Sequence, residues 1–229
     1  MTAPRVVSLV PSVTETLLAW GVTPVACTRF CEQPDLPHVG GTKDPDVAAI
    51  ADLAPDLVVL CVEENRREDA DALAVAGVAT AALSIDSVAD VGPALAMLAG
   101  LVGVPAPPMA DVPPDPEPSL RAFVPIWKRP WMSLAGGTYG SSLLASVGVA
   151  NVFAGARDRY PTVTLDEVRA REPDVVLAPS EPYPFAERHI PLFDGVAPVV
   201  LVDGQDLFWW GVRTPAARSR LATALQPWL

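Results

Sequence analysis

Apolar runs of strand length alternate with helix-like stretches along the chain. Val6–Val10 is a run of apolar and β-branched residues, and the helix predicted after it ends at Gly21, because glycine enters the left-handed C′ conformation without steric cost. Leu57–Val62 and Val175–Ala178 are two further apolar runs, each preceded by a Pro-Asp pair that stops a predicted helix. Strands that alternate with helices predict an α/β fold with parallel sheets.

Capping patterns predict where three of the helices begin. Ser12 with Glu15, and Thr164 with Glu167, have the spacing of a capping box, in which each side chain satisfies a backbone N–H at the start of a helix. Asp44 is the predicted N-cap of a third helix, whose first residue is a proline that needs no N–H. The other predicted elements are strands at 22–28, 78–84 and 131–135 and helices at 63–75 and 86–101.

The second half of the chain repeats the order of elements found in the first. Between the halves, Pro105–Pro118 carries seven prolines, which indicates an extended linker without a core of its own. We therefore predict two related α/β lobes, residues 1–104 and 120–229, joined by a linker at 105–119. A cleft between two such lobes is the default place for a small ligand.

Charge and cysteine content limit the partners and the compartment. The net charge is −11 and no run of about 18 apolar residues is present, so we expect neither a nucleic-acid partner nor membrane insertion. The sequence begins without a signal-peptide pattern, and its three cysteines cannot form a closed disulfide set. As written, it predicts a cytoplasmic protein, or an extracytoplasmic one if a signal has been removed.

Signatures of catalysis are sparse. The sequence contains no nucleophile elbow, no Walker A loop and no dinucleotide-binding glycine pattern. Cys27, Cys31 and His38 are close in sequence, but their spacing is not that of a zinc site and a fourth ligand is missing. His189 is expected to be a surface histidine. We therefore predict no metal site, no resident cofactor and no catalytic residue.

Aromatic residues are concentrated in the second half. Thirteen of the 15 aromatic residues follow position 120, and several lie just beyond predicted strand ends. The indoles of Trp209 and Trp210 would face opposite ways on a strand, so we expect one of them to face the cleft. Aromatic planes with a few hydrogen-bond donors suit a large, flat, partly apolar ligand such as a tetrapyrrole, a corrinoid or an aromatic chelate.

Two segments give the chain a family resemblance, Arg5–Glu15 and Gly40–Val58, and their pattern recurs in the second half. With them the sequence resembles the periplasmic-binding-protein family of cobalamin, iron-siderophore and haem receptors, which are substrate-binding components of ABC importers. The resemblance covers nearly the whole chain. It implies a bilobal, non-catalytic protein that holds a corrinoid or another metal chelate between its lobes, with an ABC permease as partner.

The resemblance also implies which residues face the ligand and the permease. The residues expected to bind the ligand are Ser12, Phe30, Lys43, Glu64, Tyr139, Tyr183, Phe185, Trp209 and Trp210. Family members present an acidic residue on each lobe to arginines of the permease, and Glu68 and Glu187 are the nearest candidates here. The alternative for both is a solvated surface charge.

The sequence departs from the family in three respects, the first being that family importers are secreted or lipid-anchored whereas this sequence shows no such signal. Family lobes are joined by one long helix, whereas Pro105–Pro118 cannot be helical throughout, because each interior proline costs about 3 kcal/mol. Gln33 stands where relatives carry a histidine two residues after the loop cysteine, here Cys31. A metal-ligating role for this loop is therefore not expected.

Two other functions stay open at this point. An enzyme on the same scaffold would use Glu63, Glu64 and Glu181 as acid–base residues, with Lys43 as a charge partner. A protein-interaction module would instead bind a partner through an exposed patch at Trp209 and Trp210.

Overall fold

The chain folds into two compact units. A computed structural model describes residues 4–105 and 114–228. Unit 1 contains the described residues up to Ile85 and from Ala89 to Pro105, and unit 2 contains Asp86–Val88 and the described residues from 114 onward.

Unit 1 is built on a parallel sheet of four strands. Its strands are β1 (Val6–Ser8), β2 (Ala26–Cys27), β3 (Leu57–Cys61) and β4 (Thr80–Leu83), and its helices are α1 (Pro11–Ala19), α2 (Val47–Asp52), α3 (Arg67–Val75) and α4 (Val91–Val102). The strand order is β2-β1-β3-β4, and all neighbouring pairs are parallel. One apolar cluster contains Val7, Val58 and Leu60 from the strands with Ile50 and Leu73 from the helices. Strands of a parallel sheet are rich in apolar residues because they are covered on both faces.

The start of α1 differs from the predicted capping box. The N-cap is Val10, and no side chain caps the helix. Proline has a φ that suits a helix, and it has no N–H that the first turn would leave unsatisfied. The helix therefore begins at Pro11 itself. Ser12 then lies in the first turn, where it is buried and its Oγ atom has no hydrogen-bond partner among the described residues. Gly21 adopts a left-handed φ of 75°, as predicted for the end of this helix.

The start of α2 is two residues later than predicted. Asp46, not Asp44, is the N-cap, and its Oδ1 atom accepts a hydrogen bond from the Ala49 N–H at 3.0 Å. The carboxylate of Asp44 cannot serve as the cap because it is engaged by the Arg29 guanidinium.

Unit 2 contains a second four-stranded parallel sheet, of order β11-β10-β5-β8. The strands of unit 2 are β5 (Leu120–Phe123), β6 (Pro125–Trp127), β7 (Trp131–Ser133), β8 (Val149–Asn151), β9 (Thr162–Val163), β10 (Val175–Pro179) and β11 (Val199–Val202). Its helices are α5 (Tyr139–Ala145), α6 (Leu165–Arg169), α7 (Gly204–Phe208) and α8 (Thr214–Leu225). Short 3-10 turns cover Val88–Asp90, Glu187–Phe193 and Gln226–Trp228.

Unit 2 also has an element that the parallel-sheet prediction did not include. Strands β6, β7 and β9 form a three-stranded antiparallel sheet. Phe123, Phe153 and Phe193 form the aromatic centre of the unit 2 core, with ring centroids 5.9 and 6.3 Å from that of Phe123. The predicted α/β class with parallel sheets is confirmed for the main sheet of each unit.

The proline-rich linker lies largely outside the described residues. Residues 106–113 of the predicted linker at 105–119 are among the positions that the structure does not describe. Helix α4 ends at Gly103, which has a left-handed φ of 73°, and residues 114–119 contain no helix or strand. No helix among the described residues is long and apolar enough to span a membrane.

Candidate functional site

The loops that follow the strands of unit 1 come together at one edge of its sheet. Parallel strands place their carboxyl ends on the same side, so the segments after β1, β2 and β3 are neighbours. We call residues 9–12, 28–31, 40–46 and 61–65 the unit 1 strand-end surface.

An exposed phenylalanine is held on this surface by an ion pair. The ring of Phe30 is 50% exposed, and the Arg29 guanidinium carbon lies 4.8 Å from its centroid. Arg29 Nη2 in turn donates to both carboxylate oxygens of Asp44, at 2.9 and 3.0 Å. These bonds hold the pKa of Asp44 below its usual range. The Phe30 ring is thus exposed to solvent and contacts the Arg29 guanidinium, which the ion pair with Asp44 holds in place.

Two glycines allow this ion pair to approach the backbone. A methyl group at Gly41 would lie 2.5 Å from Asp44 Oδ1 and 2.7 Å from Arg29 Nη2. Gly40 has a φ of 90°, and a methyl group there would collide with the carbonyl oxygen of Asp44. Residues Gly40–Asp44 therefore form a tight turn, and the Arg29–Asp44 ion pair can form only if the turn keeps this shape.

Lys43 and Asn65 connect this turn to the strand ends. The Lys43 Nζ atom donates to the carbonyl oxygen of Glu63 at 2.8 Å. The buried Asn65 side chain donates to the carbonyl oxygens of Leu9 and Thr42, at 3.1 and 2.9 Å. Glu64 is half-buried in the same loop as Asn65. The sequence does not identify this role of Asn65, because nothing in the local pattern predicts partners as distant as Leu9 and Thr42.

Cys31 is a buried thiol with several hydrogen-bond partners. Its pKa is lowered to about 6, first by a hydrogen bond with Cys27 and then by the hydroxyls of Thr14 and Thr28, each 3.2 Å from Sγ. The same contact raises the pKa of the Cys27 thiol. Burial raises the pKa of the Cys61 thiol to about 12. Cys27, Cys31 and Cys61 are all free thiols.

In unit 2, Trp209 lies directly after α7 and not on a strand. The prediction that Trp209 and Trp210 alternate along a strand is wrong, because α7 ends at Phe208 and Trp209 is its C-cap residue. Trp209 is half-buried, and the Arg213 guanidinium carbon lies 5.1 Å from its ring centroid. Arg213 is held in place by Asp206, at 3.2 Å.

Trp210 is inside unit 2 and has little contact with solvent. It is 3% exposed, and its Nε1 atom has no hydrogen-bond partner among the described residues. Of the two adjacent tryptophans, Trp209 is thus the one with the more accessible ring. A large exposed patch made by both indoles, which the interaction-module hypothesis needs, is not present.

The loop after β10 packs closely on the start of α7. The Gly204 N–H donates to Ser180 Oγ at 2.9 Å, and a methyl group at Gly204 would lie 2.5 Å from the backbone nitrogen of Glu181. Gly140, in α5, is similarly close to its neighbour, because a methyl group at Gly140 would lie 3.2 Å from the Leu207 carbonyl oxygen. We call residues 135–140, 180–185 and 203–210 the unit 2 strand-end surface.

Tyr183 lies at the edge of an aromatic cluster. Its ring centroid is 5.5 Å from that of Trp127, which is 43% exposed, and 4.7 Å from that of Phe185. Lys128 Nζ lies 5.6 Å from the Tyr183 centroid. His189 also contacts Tyr183, and it is buried rather than on the surface as predicted. Partial desolvation lowers its pKa, and its Nδ1 atom accepts from the Ala186 N–H.

Two predicted ligand-binding residues of unit 2 are packed in its interior. Phe185 is 5% exposed and stacks on Trp131, with ring planes 7° apart. Tyr139 is 4% exposed, and its hydroxyl lies 2.9 Å from Thr214 Oγ1. Burial raises the pKa of Tyr139 to about 12. Both side chains therefore have structural contacts that explain their presence without a ligand.

The predicted site residues thus fall into two groups. Those with accessible side chains on the strand-end surfaces are Phe30, Lys43, Glu64, Tyr183 and Trp209. Those that the structure buries are Ser12, Tyr139, Phe185 and Trp210. A role in ligand binding stays a prediction for both groups, and the side chains of the second group are buried in this structure. The predicted docking residues Glu68 and Glu187 are both exposed.

The described residues contain no group of three or more His, Cys, Asp and Glu side chains that could hold a metal ion. His38 Nε2 lies 3.0 Å from the Gln33 carbonyl oxygen, so this imidazole is engaged by the backbone of its own loop.

No protein-family model matches the chain. Curated relatives do match it. A vitamin B12-binding protein of Salmonella paratyphi A is 28% identical over 196 residues, which cover 76% of this chain and 72% of the relative. A vitamin B12-binding protein of Yersinia pestis (strain Pestoides F) is 27% identical over 198 residues, which cover 76% of this chain and 69% of the relative.

Solved structures share the fold over almost the whole chain. The periplasmic vitamin B12 binding protein BtuF of Vibrio cholerae superposes with a TM-score of 0.77 at 19% identity, covering 98% of this chain and 97% of that one. The periplasmic heme-binding protein BhuT, in complex with two hemes, gives a TM-score of 0.81 at 21% identity and 99% coverage of both chains. A periplasmic heme binding protein of Pseudomonas aeruginosa gives 0.80 at 18% identity, covering 99% of this chain and 94% of that one.

At these identities the structural likeness concerns the fold, and the curated relatives add a likeness in sequence. Both agree with the resemblance that the opening strand–helix segment and the Gly40–Val58 segment indicate. The chain is similar in sequence to vitamin B12-binding proteins, and it shares the fold of periplasmic vitamin B12-binding and heme-binding proteins.

Proposed function

We propose that this chain is a non-catalytic binding protein for a corrinoid or another flat metal chelate, and that it serves as the substrate-binding component of an ABC importer. The observation that carries the proposal is an accessible aromatic ring on each strand-end surface, supported from behind by an arginine. Phe30 lies on Arg29 in unit 1, and Trp209 lies on Arg213 in unit 2.

The chemistry of these rings suits a macrocyclic ligand. A planar, partly apolar ring system gains from stacking on aromatic faces, and each aromatic contact contributes about 0.5–1.5 kcal/mol beyond area burial. Arg29 is paired with Asp44, so its charge is largely compensated, whereas Asp206 pairs with both Arg213 and Arg220. Surfaces of this kind favour a ligand with a broad apolar face over a small inorganic anion, which would need basic residues or backbone nests.

The names of the relatives support the same reading. The curated relatives are called vitamin B12-binding proteins, and several structural neighbours are called heme-binding proteins. None of these names describes an enzyme, and the described residues offer no metal cluster for catalysis. We therefore propose that the chelate is cargo, and that the protein needs no cofactor of its own.

The proposal extends to a partner and a compartment. We propose that this chain also acts outside the cytoplasm, which is supported by the periplasmic location of several of the solved neighbours. We propose that the exposed carboxylates of Glu68 and Glu187 face cationic residues of the permease. Glu68 lies in the first turn of α3, where the helix dipole favours a negative charge.

The test is tryptophan-fluorescence quenching of the purified protein by cyanocobalamin, cobinamide, hemin and a ferric siderophore. We expect saturable quenching by at least one of the four at micromolar concentration. Trp209→Ala should weaken binding about 10-fold, which corresponds to about 1.4 kcal/mol.

The matched control is Trp228→Ala, which removes a more exposed indole from the 3-10 turn at 226–228. This variant should bind as the parent protein does. Absence of saturable quenching by all four compounds would contradict the proposed function. Equal losses in the two variants would contradict the assignment of Trp209 to the binding surface.

A further inference from the structure

Asn65 connects three separate segments of the unit 1 strand-end surface. Its Oδ1 atom accepts from the Cys61 N–H at 2.8 Å, at the last residue of β3. Its Nδ2 atom donates to the carbonyl oxygen of Leu9, one residue beyond β1, at 3.1 Å, and to that of Thr42 at 2.9 Å. The side chain is 8% exposed, so both amide hydrogens and the carbonyl are used inside the protein.

These bonds determine where the Gly40–Asp46 turn lies relative to the sheet. Thr42 directly precedes Lys43 and is two residues from Asp44, which holds the Arg29 guanidinium under Phe30. Backbone bonds join the turn to the segment after β2, where the Arg29 N–H donates to the Gly40 carbonyl oxygen at 2.9 Å. The Lys43–Glu63 contact connects the turn to the loop after β3, but through a flexible, exposed lysine. Asn65 is the buried side chain that links the turn to the ends of β1 and β3.

We infer that Asn65 is a positioning residue for ligand binding, which holds the turn so that Phe30 and Lys43 have the spacing that the ligand requires. This inference rests on the proposed function, because it assigns Asn65 a part in the same surface. Asn65 itself touches no ligand in this scheme. Its amide acts through Thr42 and the Arg29–Asp44 ion pair.

The experiment compares affinity and stability in two variants. Asn65→Ala removes all three bonds, and Leu73→Ala is the matched control, because Leu73 is fully buried in the unit 1 core on α3 and lies outside the unit 1 strand-end surface. Both should lower the melting temperature. At a temperature where both are fully folded, Asn65→Ala should bind cyanocobalamin or hemin about 10-fold more weakly. Leu73→Ala should bind as the parent protein does.

A conservative variant gives a readout that a purely structural role would not change. Asn65→Asp keeps the acceptor for the Cys61 N–H but replaces both donors by a carboxylate oxygen that faces two carbonyls. Its affinity should increase as the pH falls and the carboxyl gains a proton that it can donate to Thr42 or Leu9. The affinity of the parent protein should show no such increase. Unchanged affinity in Asn65→Ala, or an equal loss in Leu73→Ala, would overturn the inference.

A second readout separates this inference from the proposed function. If the parent protein binds neither compound, the proposed function fails, and amide hydrogen exchange decides the role of Asn65. The Asp46 N–H bonds to the Val39 carbonyl oxygen at 2.9 Å, and the Arg29 N–H bonds to that of Gly40 at 2.9 Å. Exchange at these two amides should accelerate in Asn65→Ala but not in Leu73→Ala. Equal rates in both variants would contradict a positioning role.

Discussion

At the scale of single residues, Gly40 shows how little freedom the Gly40–Asp46 turn has. Its φ of 90° is in the left-handed region, and a methyl group would meet the backbone of Asp44, which cannot rotate away as a side chain could. We predict that Gly40→Ala lowers the free energy of unfolding by about 2 kcal/mol or more, from backbone strain and overpacking together. Urea denaturation measures this change.

Gly100 is the control for that substitution. It lies inside α4, and an added methyl group would have no atom within 4 Å. Gly100→Ala should therefore stabilise the protein by about 0.5–1 kcal/mol, because alanine is the better helix former. Similar effects of the two substitutions would show that the turn adapts to a side chain at position 40.

At the scale of elements, the capping box of α6 is a local device that the sequence predicts correctly. Thr164 Oγ1 accepts from the Glu167 N–H at 3.2 Å, and Glu167 Oε2 accepts from the Thr164 N–H at 2.7 Å. We predict that Thr164→Ala lowers the free energy of unfolding by about 1 kcal/mol. Thr223→Ala is the control. It removes an exposed hydroxyl within α8 and should change stability by less than about 0.5 kcal/mol.

The same capping box predicts how the stability of the protein depends on pH. Hydrogen bonds from Thr164, first from its backbone N–H, hold the pKa of Glu167 below its usual range. Because the folded state favours the carboxylate, this contribution is present above the ordinary pKa of a glutamate. It is lost as the pH falls through the lowered value. The stability difference between the parent and Glu167→Gln should therefore shrink in acid, and a difference that stays constant would contradict the assignment.

Elements that depend on local sequence were predicted well, whereas those that depend on distant partners were not. Leu57–Cys61 and Val175–Pro179 are apolar runs bounded by Pro-Asp pairs, and each is a buried strand. The N-cap of α2 was misplaced because Arg29, 15 residues away, engages Asp44. Trp209 and Trp210 were assigned to a strand because their sequence resembles one, but the Asp203 cap starts a short helix before them.

The candidate site follows the same rule. The sequence could indicate that Phe30 and Trp209 are accessible, because both lie in segments that resemble ligand loops of the family, and their role in binding stays a prediction. Phe185 could not be separated from them by sequence, since its burial depends on Trp131 and Phe193. Asn65 was missed as a link because its partners lie 56 and 23 residues away.

At the scale of the whole molecule, the net charge of −11 predicts how affinity depends on salt. Hemin carries two carboxylates that the protein as a whole repels, whereas cyanocobalamin has no net charge. Raising the ionic strength shortens the Debye length from about 30 Å at 0.01 M to about 10 Å at 0.1 M. We therefore predict that salt strengthens hemin binding and leaves cyanocobalamin binding nearly unchanged, as titrations at several salt concentrations would show. Weaker hemin binding at high salt would mean that nearby cations, such as Lys43, outweigh the overall charge.

The support of Phe30 by Arg29 and Asp44 has a consequence for the way a ligand is selected. A ring that is already held in one orientation loses little conformational entropy when a ligand covers it. The surface then acts as a rigid template, and a compound whose planar face does not match the ring gains nothing from rearrangement of the loop. Selectivity at this position should accordingly depend on the shape of the ligand, and association should occur in a single kinetic phase without a slower step of loop closure.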